Sequence, residues 1–316
     1  MGNGASKKTI AFEIAAIPLR HIEFCGIVFF THDDIEDLGN MSTSGAAKSN
    51  ASFLDRYGAW AVIAGASEGL GAECATQIAS RGVNCFLIAR REELLARKSH
   101  ELAEKYGIKT LYKAIDLEDA NAANILDAET SALDVGLFVY NAGADPSGTK
   151  FLNYPIEKWR ALVRRNVLTL MESTYLFAGR MSDKKKGGLL IIGSDAALGG
   201  GSRVCMYTAT KGFGTNFAES LWAELKPLGV DVLNVIVGAL DTPVFREALK
   251  VRNIPFENVS AANPVDVARL ALENLSNGPD LIYWEHDKEG ASQLAQSRRQ
   301  HVIGVGETLQ AFYGPE

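Results

Sequence analysis

From Trp60 onward, short apolar runs alternate with longer amphipathic stretches, and the hydrophobic period switches repeatedly between two and about 3.6 residues. That alternation implies consecutive βαβ units and a parallel sheet, because a parallel strand pair needs a crossover long enough to hold a helix. Trp60–Ala64, Asn84–Ile88, Thr110–Ile115, Val135–Tyr140, Gly188–Ile192 and Val230–Val237 are the expected strands, with a last short one at Leu281–Trp284. Helices are expected to close near Gly82 and at Gly107, to run from Pro155 to about Arg180, and to run from Tyr207 to Lys226, where Pro227 and Gly229 stop the chain. Asn263-Pro264 begins another, and the tail from Ala291 to Tyr313 is amphipathic with an interruption at Gly304 and Gly306. The expected class is α/β: a doubly wound parallel sheet in three layers. It forms a single domain over residues 53–290, preceded by an extension (1–52) and followed by a helical tail (291–316).

The first strand runs directly into Gly65-Ala66-Ser67-Glu68-Gly69-Leu70-Gly71 and then a helix, the arrangement of a Rossmann-type nucleotide site. Glycines let the chain turn sharply and let its backbone approach a pyrophosphate resting on the helix N-terminus, so Gly65, Ser67, Glu68, Gly69, Leu70 and Gly71 are candidate cofactor contacts. Tight turns without ligands use the same residues. Ala89 and Arg90 stand at the end of the second strand, where a ribose-hydroxyl site would place an acid. A guanidinium suits a 2′-phosphate, which favours NADP(H) over NAD(H); the alternative is that Arg90 and Arg91 simply open a charged helix. Asp116-Leu117 and Asn141-Ala142-Gly143 occupy the next strand ends, where such sheets bind ligands. Asp116 is suited to accept from an adenine amino group, and Asn141 and Gly143 leave room for the adenosine; capping of the following helix is the structural alternative.

The clearest chemical statement is Ser194, at the end of the fifth strand, thirteen residues before Tyr207, which Lys211 follows by four. That last spacing puts phenol and ammonium on one helical face. A cation near a phenol favours the phenolate, lowering its pKa toward neutrality, where it exchanges protons with an alcohol or carbonyl. Taken alone, such a pair is more often a packed Tyr and a solvated Lys. Asn166 lies within an expected helix, a position where Asn has no intrinsic merit and is either solvent-facing or functional.

Jointly, these residues resemble the short-chain dehydrogenase/reductase family in its shorter, single-domain branch. Gly65, Gly69 and Gly71, then Asp116, Asn141-Ala142-Gly143, Asn166, Ser194, Tyr207, Lys211, Gly238 and Thr242 occur in the family's order over about residues 55–245. The resemblance implies an NADP-dependent oxidoreductase that interconverts a ketone or aldehyde and an alcohol by hydride transfer. Ser194, Tyr207 and Lys211 would be catalytic, Asn166 would hold a water in a proton relay, and Tyr207, Lys211, Gly238 and Thr242 would join the cofactor contacts. Ala64, Tyr140 and Val237 depart from the family's usual Thr, Asn and Pro, and none of them is a reacting group. Members commonly pair through the two long helices, so a homodimer or homotetramer is expected. The rival readings are a non-catalytic NADP-binding sensor and a sugar-nucleotide epimerase or dehydratase.

A net charge of −6 provides no electrostatic footprint for nucleic acid or an anionic membrane. The cysteines Cys25, Cys74, Cys85 and Cys205 lack metal spacing, so no metal site is expected and reduced thiols in a cytoplasmic protein are. Ile10 to Phe30 is interrupted by Glu13, Arg20, His21 and Glu23 and does not read as a membrane span, while Met1 to Ser6 fits a myristoylation pattern that also arises by chance. The resemblance implies a small-molecule carbonyl or alcohol as the partner. Its contacts are expected from Ala144 to Asn153, Asp195 to Met206 and Leu240 to Ala262; the apolar Val244, Phe245, Leu249, Ile254, Pro255 and Phe256 in the last suit a steroid-like, acyl or small ketone substrate.

Overall fold

Seven parallel strands form one sheet in the order β3-β2-β1-β4-β5-β6-β7 in the computed structural model, which describes residues 53–144, 147–284 and 286–313, with side chains to residue 308. The strands are β1 (Trp60–Ala64), β2 (Asn84–Ala89), β3 (Thr110–Ala114), β4 (Val135–Tyr140), β5 (Gly187–Ile192), β6 (Val230–Val237) and β7 (Asp280–Tyr283). Cys25, the myristoylation pattern and the Ser/Ala/Gly-rich segment at 41–52 lie outside the described residues. The whole sheet lies within one compact unit, which runs to Glu307.

The helices are α1 (Phe53–Tyr57), α2 (Gly69–Ala79), α3 (Glu92–Tyr106), α4 (Ala122–Thr130), α5 (Ile156–Val163), α6 (Thr169–Asp183), α7 (Cys205–Leu225), α8 (Pro243–Val251), α9 (Pro264–Glu273) and α10 (Lys288–Tyr313). Strand residues alternate between two faces, and each face has its own apolar layer. Ile63, Leu87, Val139 and Val235 meet Ile78 of α2, Leu95 of α3 and Val267 of α9. Val62, Phe86, Phe138 and Leu189 meet Leu126 of α4, Phe177 of α6 and Trp222 of α7. Because β1, β4 and β5 are covered on both sides, they read as continuous apolar runs, whereas β3 at the edge leaves Leu111 and Tyr112 exposed.

Two expectations about helices are corrected. The stretch after Pro155 is not one α-helix: a π turn at Arg164–Leu168 separates α5 from α6. Gly304 and Gly306 do not interrupt the tail, which is a single helix from Lys288, since isolated glycines cost helix stability without breaking the hydrogen-bond ladder.

α10 is anchored by a buried ionic cluster. Arg298 Nε lies 2.7 Å from Glu219 Oε1 on α7 and 3.5 Å from Asp280 Oδ2 on β7, and Asn234 Nδ2 on β6 donates to Asp280 Oδ1 at 2.8 Å. Burial, and then the neighbouring Glu219, push the Asp280 carboxyl up to about 7. A folded-state pKa above the unfolded value of 3.8 means that the native state holds a proton that the unfolded chain releases, so stability falls as pH rises through that window. The isosteric Asp280→Asn variant lacks this ionisation. In urea unfolding, wild-type stability relative to Asp280→Asn is expected to fall by on the order of 2 kcal/mol between about pH 5 and pH 8. A difference that stays flat with pH overturns the assignment.

Candidate active site

The strand order reverses between β1 and β4, and in an open parallel sheet the ligand crevice lies outside the carboxyl ends at such a switch point. The turn after β1 is fixed from β4: Asn141 N donates to Ala64 O at 3.0 Å, and Asn141 Nδ2 donates to Gly65 O at 3.1 Å. A Cβ on Gly71 would stand 2.2 Å from Gly65 O and 2.6 Å from Asn141 Nδ2, so no other residue fits without moving the turn. α2 then begins at Gly69 with no acid in its first turn, and its N-cap, Glu68, makes no side-chain capping bond. Instead Glu68 pairs with Arg91, whose Nη2 also donates to Ser67 Oγ at 3.1 Å. The first-turn amides of α2 are thereby left to an anion. Arg90 is exposed at the end of β2. A dinucleotide cofactor fits this cradle on its backbone geometry.

The other candidates take definite places. Leu70 and Leu117 turn their side chains into the core, so contact with a cofactor falls to their backbone. Asp116 Oδ1 accepts from Glu118 N at 3.0 Å, the turn-forming arrangement. Thr242 caps α8 by accepting from Phe245 N, and its methyl group lies 2.9 Å from where a Gly69 Cβ would be. Gly238 packs against Asp195, with 2.9 Å from a built Cβ to Asp195 Oδ2. Val244 and Ile254 are exposed, whereas Leu249 is buried and Arg246 covers the Phe256 ring at 4.1 Å.

At the carboxyl end of β5 the reactive groups converge. Lys211 is buried and donates from Nζ to Ile192 O at 2.8 Å, while its ammonium lies 5.9 Å from the centroid of the Tyr207 ring one turn earlier. Burial, reinforced by Arg165, lowers the Lys211 pKa to about 8. Ser194 is 7% exposed; its Oγ donates to Asp195 Oδ1 and accepts from Ala196 N, both at 3.2 Å. Asn166 sits in the π turn and is 4% exposed. Its Nδ2 donates to Thr210 Oγ1 at 3.0 Å. A Cβ on Gly143 would approach Asn166 Oδ1 to 2.9 Å and Lys211 Nζ to 3.4 Å, so the glycine after β4 leaves room for both groups. Between Asn166, Lys211, Ile192 and Tyr140 lies a cavity of about 10 Å³, the size of one water.

Residues 59–253 match the family model described as short chain dehydrogenase. The chain belongs to this family, the short-chain dehydrogenase/reductases, an oxidoreductase family whose fold binds a nicotinamide cofactor. A very-long-chain 3-oxoacyl-CoA reductase from Podospora anserina is 30% identical over 267 residues, 78% of this chain and 77% of the relative. Another from Laccaria bicolor is 34% identical over 183 residues; the match covers 57% of this chain and about half (54%) of that relative. A solved 7beta-hydroxysteroid dehydrogenase structure superposes with a TM-score of 0.69 at 25% identity, covering 81% of this chain and all of that one. Among the described residues, no helix is long and apolar enough to cross a membrane.

Arg165 is a site residue that the sequence reading missed. Its Nε donates to Asn166 Oδ1 at 3.3 Å, Nη1 pairs with Glu118, Nη2 donates to Ala144 O at 2.6 Å, and its carbonyl accepts the Tyr140 hydroxyl. The one available signal was the Arg164-Arg165-Asn166 run inside an apolar helical pattern. Gly71→Ala is expected to weaken binding of a nicotinamide dinucleotide by about tenfold or more, read by quenching of intrinsic fluorescence, and to lower the melting temperature. Unchanged affinity would show that the turn does not form the cofactor cradle.

Proposed function

We propose that this short-chain dehydrogenase/reductase is an NADP(H)-dependent carbonyl reductase acting on a bulky hydrophobic ketone or aldehyde, with Tyr207 as general acid/base. The observation that carries the reading is the convergence of Tyr207, Lys211 and Asn166 at the end of the strand that delivers Ser194. When bound, the nicotinamide supplies the hydride. Ser194 Oγ donates to the substrate oxygen, where negative charge develops. The Tyr207 hydroxyl gives that oxygen its proton. Lys211, a buried ammonium beside the phenol, favours the phenolate that remains and holds the nicotinamide ribose hydroxyls. Asn166 lines the water-sized cavity against Lys211 and connects the relay to solvent.

Arg90 is the candidate for the 2′-phosphate. The Glu68 carboxylate in the glycine turn would oppose that anion, and its pairing with Arg91 offsets it, leaving the Arg90 fork for the phosphate. Gly65 to Gly71, Asp116, Leu117, Asn141 to Gly143, Gly238 and Thr242 form the remainder of the cofactor cradle. Val244 and Ile254, exposed around α8, suit an apolar substrate, in keeping with the acyl and steroid substrates named for the relatives. Tyr175 and Met171, exposed on α6, support pairing of two copies through α6 and α7.

Following NADPH absorbance against ketones, aldehydes, hydroxysteroid precursors and 3-oxoacyl thioesters tests the reading. Tyr207→Phe is expected to lower turnover of the accepted substrate by about two orders of magnitude or more while NADPH affinity stays within a few-fold. Near-wild-type turnover would overturn the mechanism, and NADPH binding without oxidation by any member of the panel would favour a sensor. Arg90→Ala is expected to weaken NADPH about tenfold while leaving NADH unchanged. Equal losses for both would remove the 2′-phosphate assignment.

A further inference from the structure

Arg165 occupies a place that the proposed reaction leaves unassigned. From the π turn its guanidinium reaches Glu118 beyond β3, the Ala144 carbonyl beyond β4, and the Asn166 carboxamide beside it. Its side chain is 15% exposed, so water screens the charge weakly. The three nitrogens serve different partners. Nε faces Asn166, whose Oδ1 and the Lys211 Nζ both stand against Gly143, whereas Nη1 turns away to Glu118. Asn166 Oδ1 thus links the two cations, accepting from Arg165 Nε and sharing the Gly143 contact with Lys211 Nζ, while Glu118 pairs with the same guanidinium through Nη1.

We propose that Arg165 is a positioning residue of the active site: it locks the Asn166 carboxamide, and its charge, partly offset by Glu118, sets the upper pH limit of catalysis. The proposal rests on the reading that a charged Lys211 is needed beside Tyr207. Among the described residues, the charged or titratable groups around Lys211 are Tyr207 on its own helix, Tyr140 of β4, which lines the same cavity, Arg165 of the π turn with Glu118 paired to it, Glu172 of α6, which Arg164 takes at 3.5 Å, and Asp195 beyond Ser194. Arg165 is the like charge of this set that lowers Lys211, second only to burial. Two like charges in a weakly hydrated site disfavour each other, so Lys211 gives up its proton earlier in Arg165's presence. Removing the guanidinium raises the pH at which the ammonium is lost. Removing only the Glu118 charge leaves Arg165 unopposed and lowers it.

The test is the pH dependence of kcat and of NADPH affinity in Arg165→Met, Arg165→Lys and Glu118→Gln, each checked for native folding by its thermal melt. In Arg165→Met the alkaline limb is expected to move up by about one pH unit, and in Glu118→Gln down by about half as much. Arg165→Lys is expected to keep the wild-type limb while losing kcat through the poorer hold on Asn166. Shifts in the same direction in both charge variants, or reduced kcat with no shift, would reduce Arg165 to a structural tie and overturn the proposal. If Arg165→Met does not fold, Glu118→Gln alone decides, since a structural tie predicts no downward shift. If no carbonyl is turned over by the wild type, the reaction reading fails; the alkaline loss of NADPH affinity, measured by fluorescence, still reports Lys211 and moves in the same opposite directions if Arg165 acts as proposed.

Discussion

The hydrogen bond from Asn141 Nδ2 to Gly65 O is the contact on which the cofactor side of the molecule depends. It joins the ends of β1 and β4, the two strands between which the sheet changes direction. The strand pairing itself ends at Ala64 and Tyr140, and just beyond it the backbone bond from Asn141 N to Ala64 O also ties the two strand ends. The same amide nitrogen closes off the space above Gly71, so a side chain just beyond β4, with the backbone bonds from Gly65 N and Ala66 N to Ile88 O, fixes the turn that leads into α2. Asn141 is thus as much a structural residue of the glycine turn as a lining residue of the crevice.

The catalytic side is arranged around a buried ammonium. Lys211 is almost fully enclosed, and a charge there is tolerable because the Ile192 carbonyl accepts from it while the Asn166 carboxamide and the Tyr207 ring stand nearby. Desolvation and a second cation lower its proton affinity to the edge of the physiological range. A lysine so placed is sensitive to small changes around it, a property common to groups at functional sites.

Much of this was readable in the sequence. Strands β1, β4 and β6 begin and end where the apolar runs do, because central strands covered on both faces carry few polar residues to blur their ends. The order of glycines, Ser194, Tyr207 and Lys211 sufficed to put these residues at the strand ends and on one helical turn where the structure has them, since both are short-range geometry. The failures are equally physical. The π turn at Arg164–Leu168 leaves no mark in a 3.6-residue pattern, as it merely shifts the phase of one helix against the next. Arg165 was passed over because its partners, Glu118 and Ala144, arrive from two other strand ends. The two α10 glycines were overweighted by treating a propensity cost as a break.

One extra residue in a helix has a consequence beyond local geometry. Each residue of an α-helix turns the chain by about 100°, so the wider turn at Arg164–Leu168 offsets the faces of α5 and α6 by roughly that angle. Trp159 can then pack inward on α5 and Phe177 on α6 while Asn166 between them still reaches Thr210 on α7. A shortening of this turn by one residue would restore a regular helix of good propensity and intact hydrogen bonding. It would also rotate either the core or the relay out of alignment, so length, as well as residue identity, is under constraint in this segment.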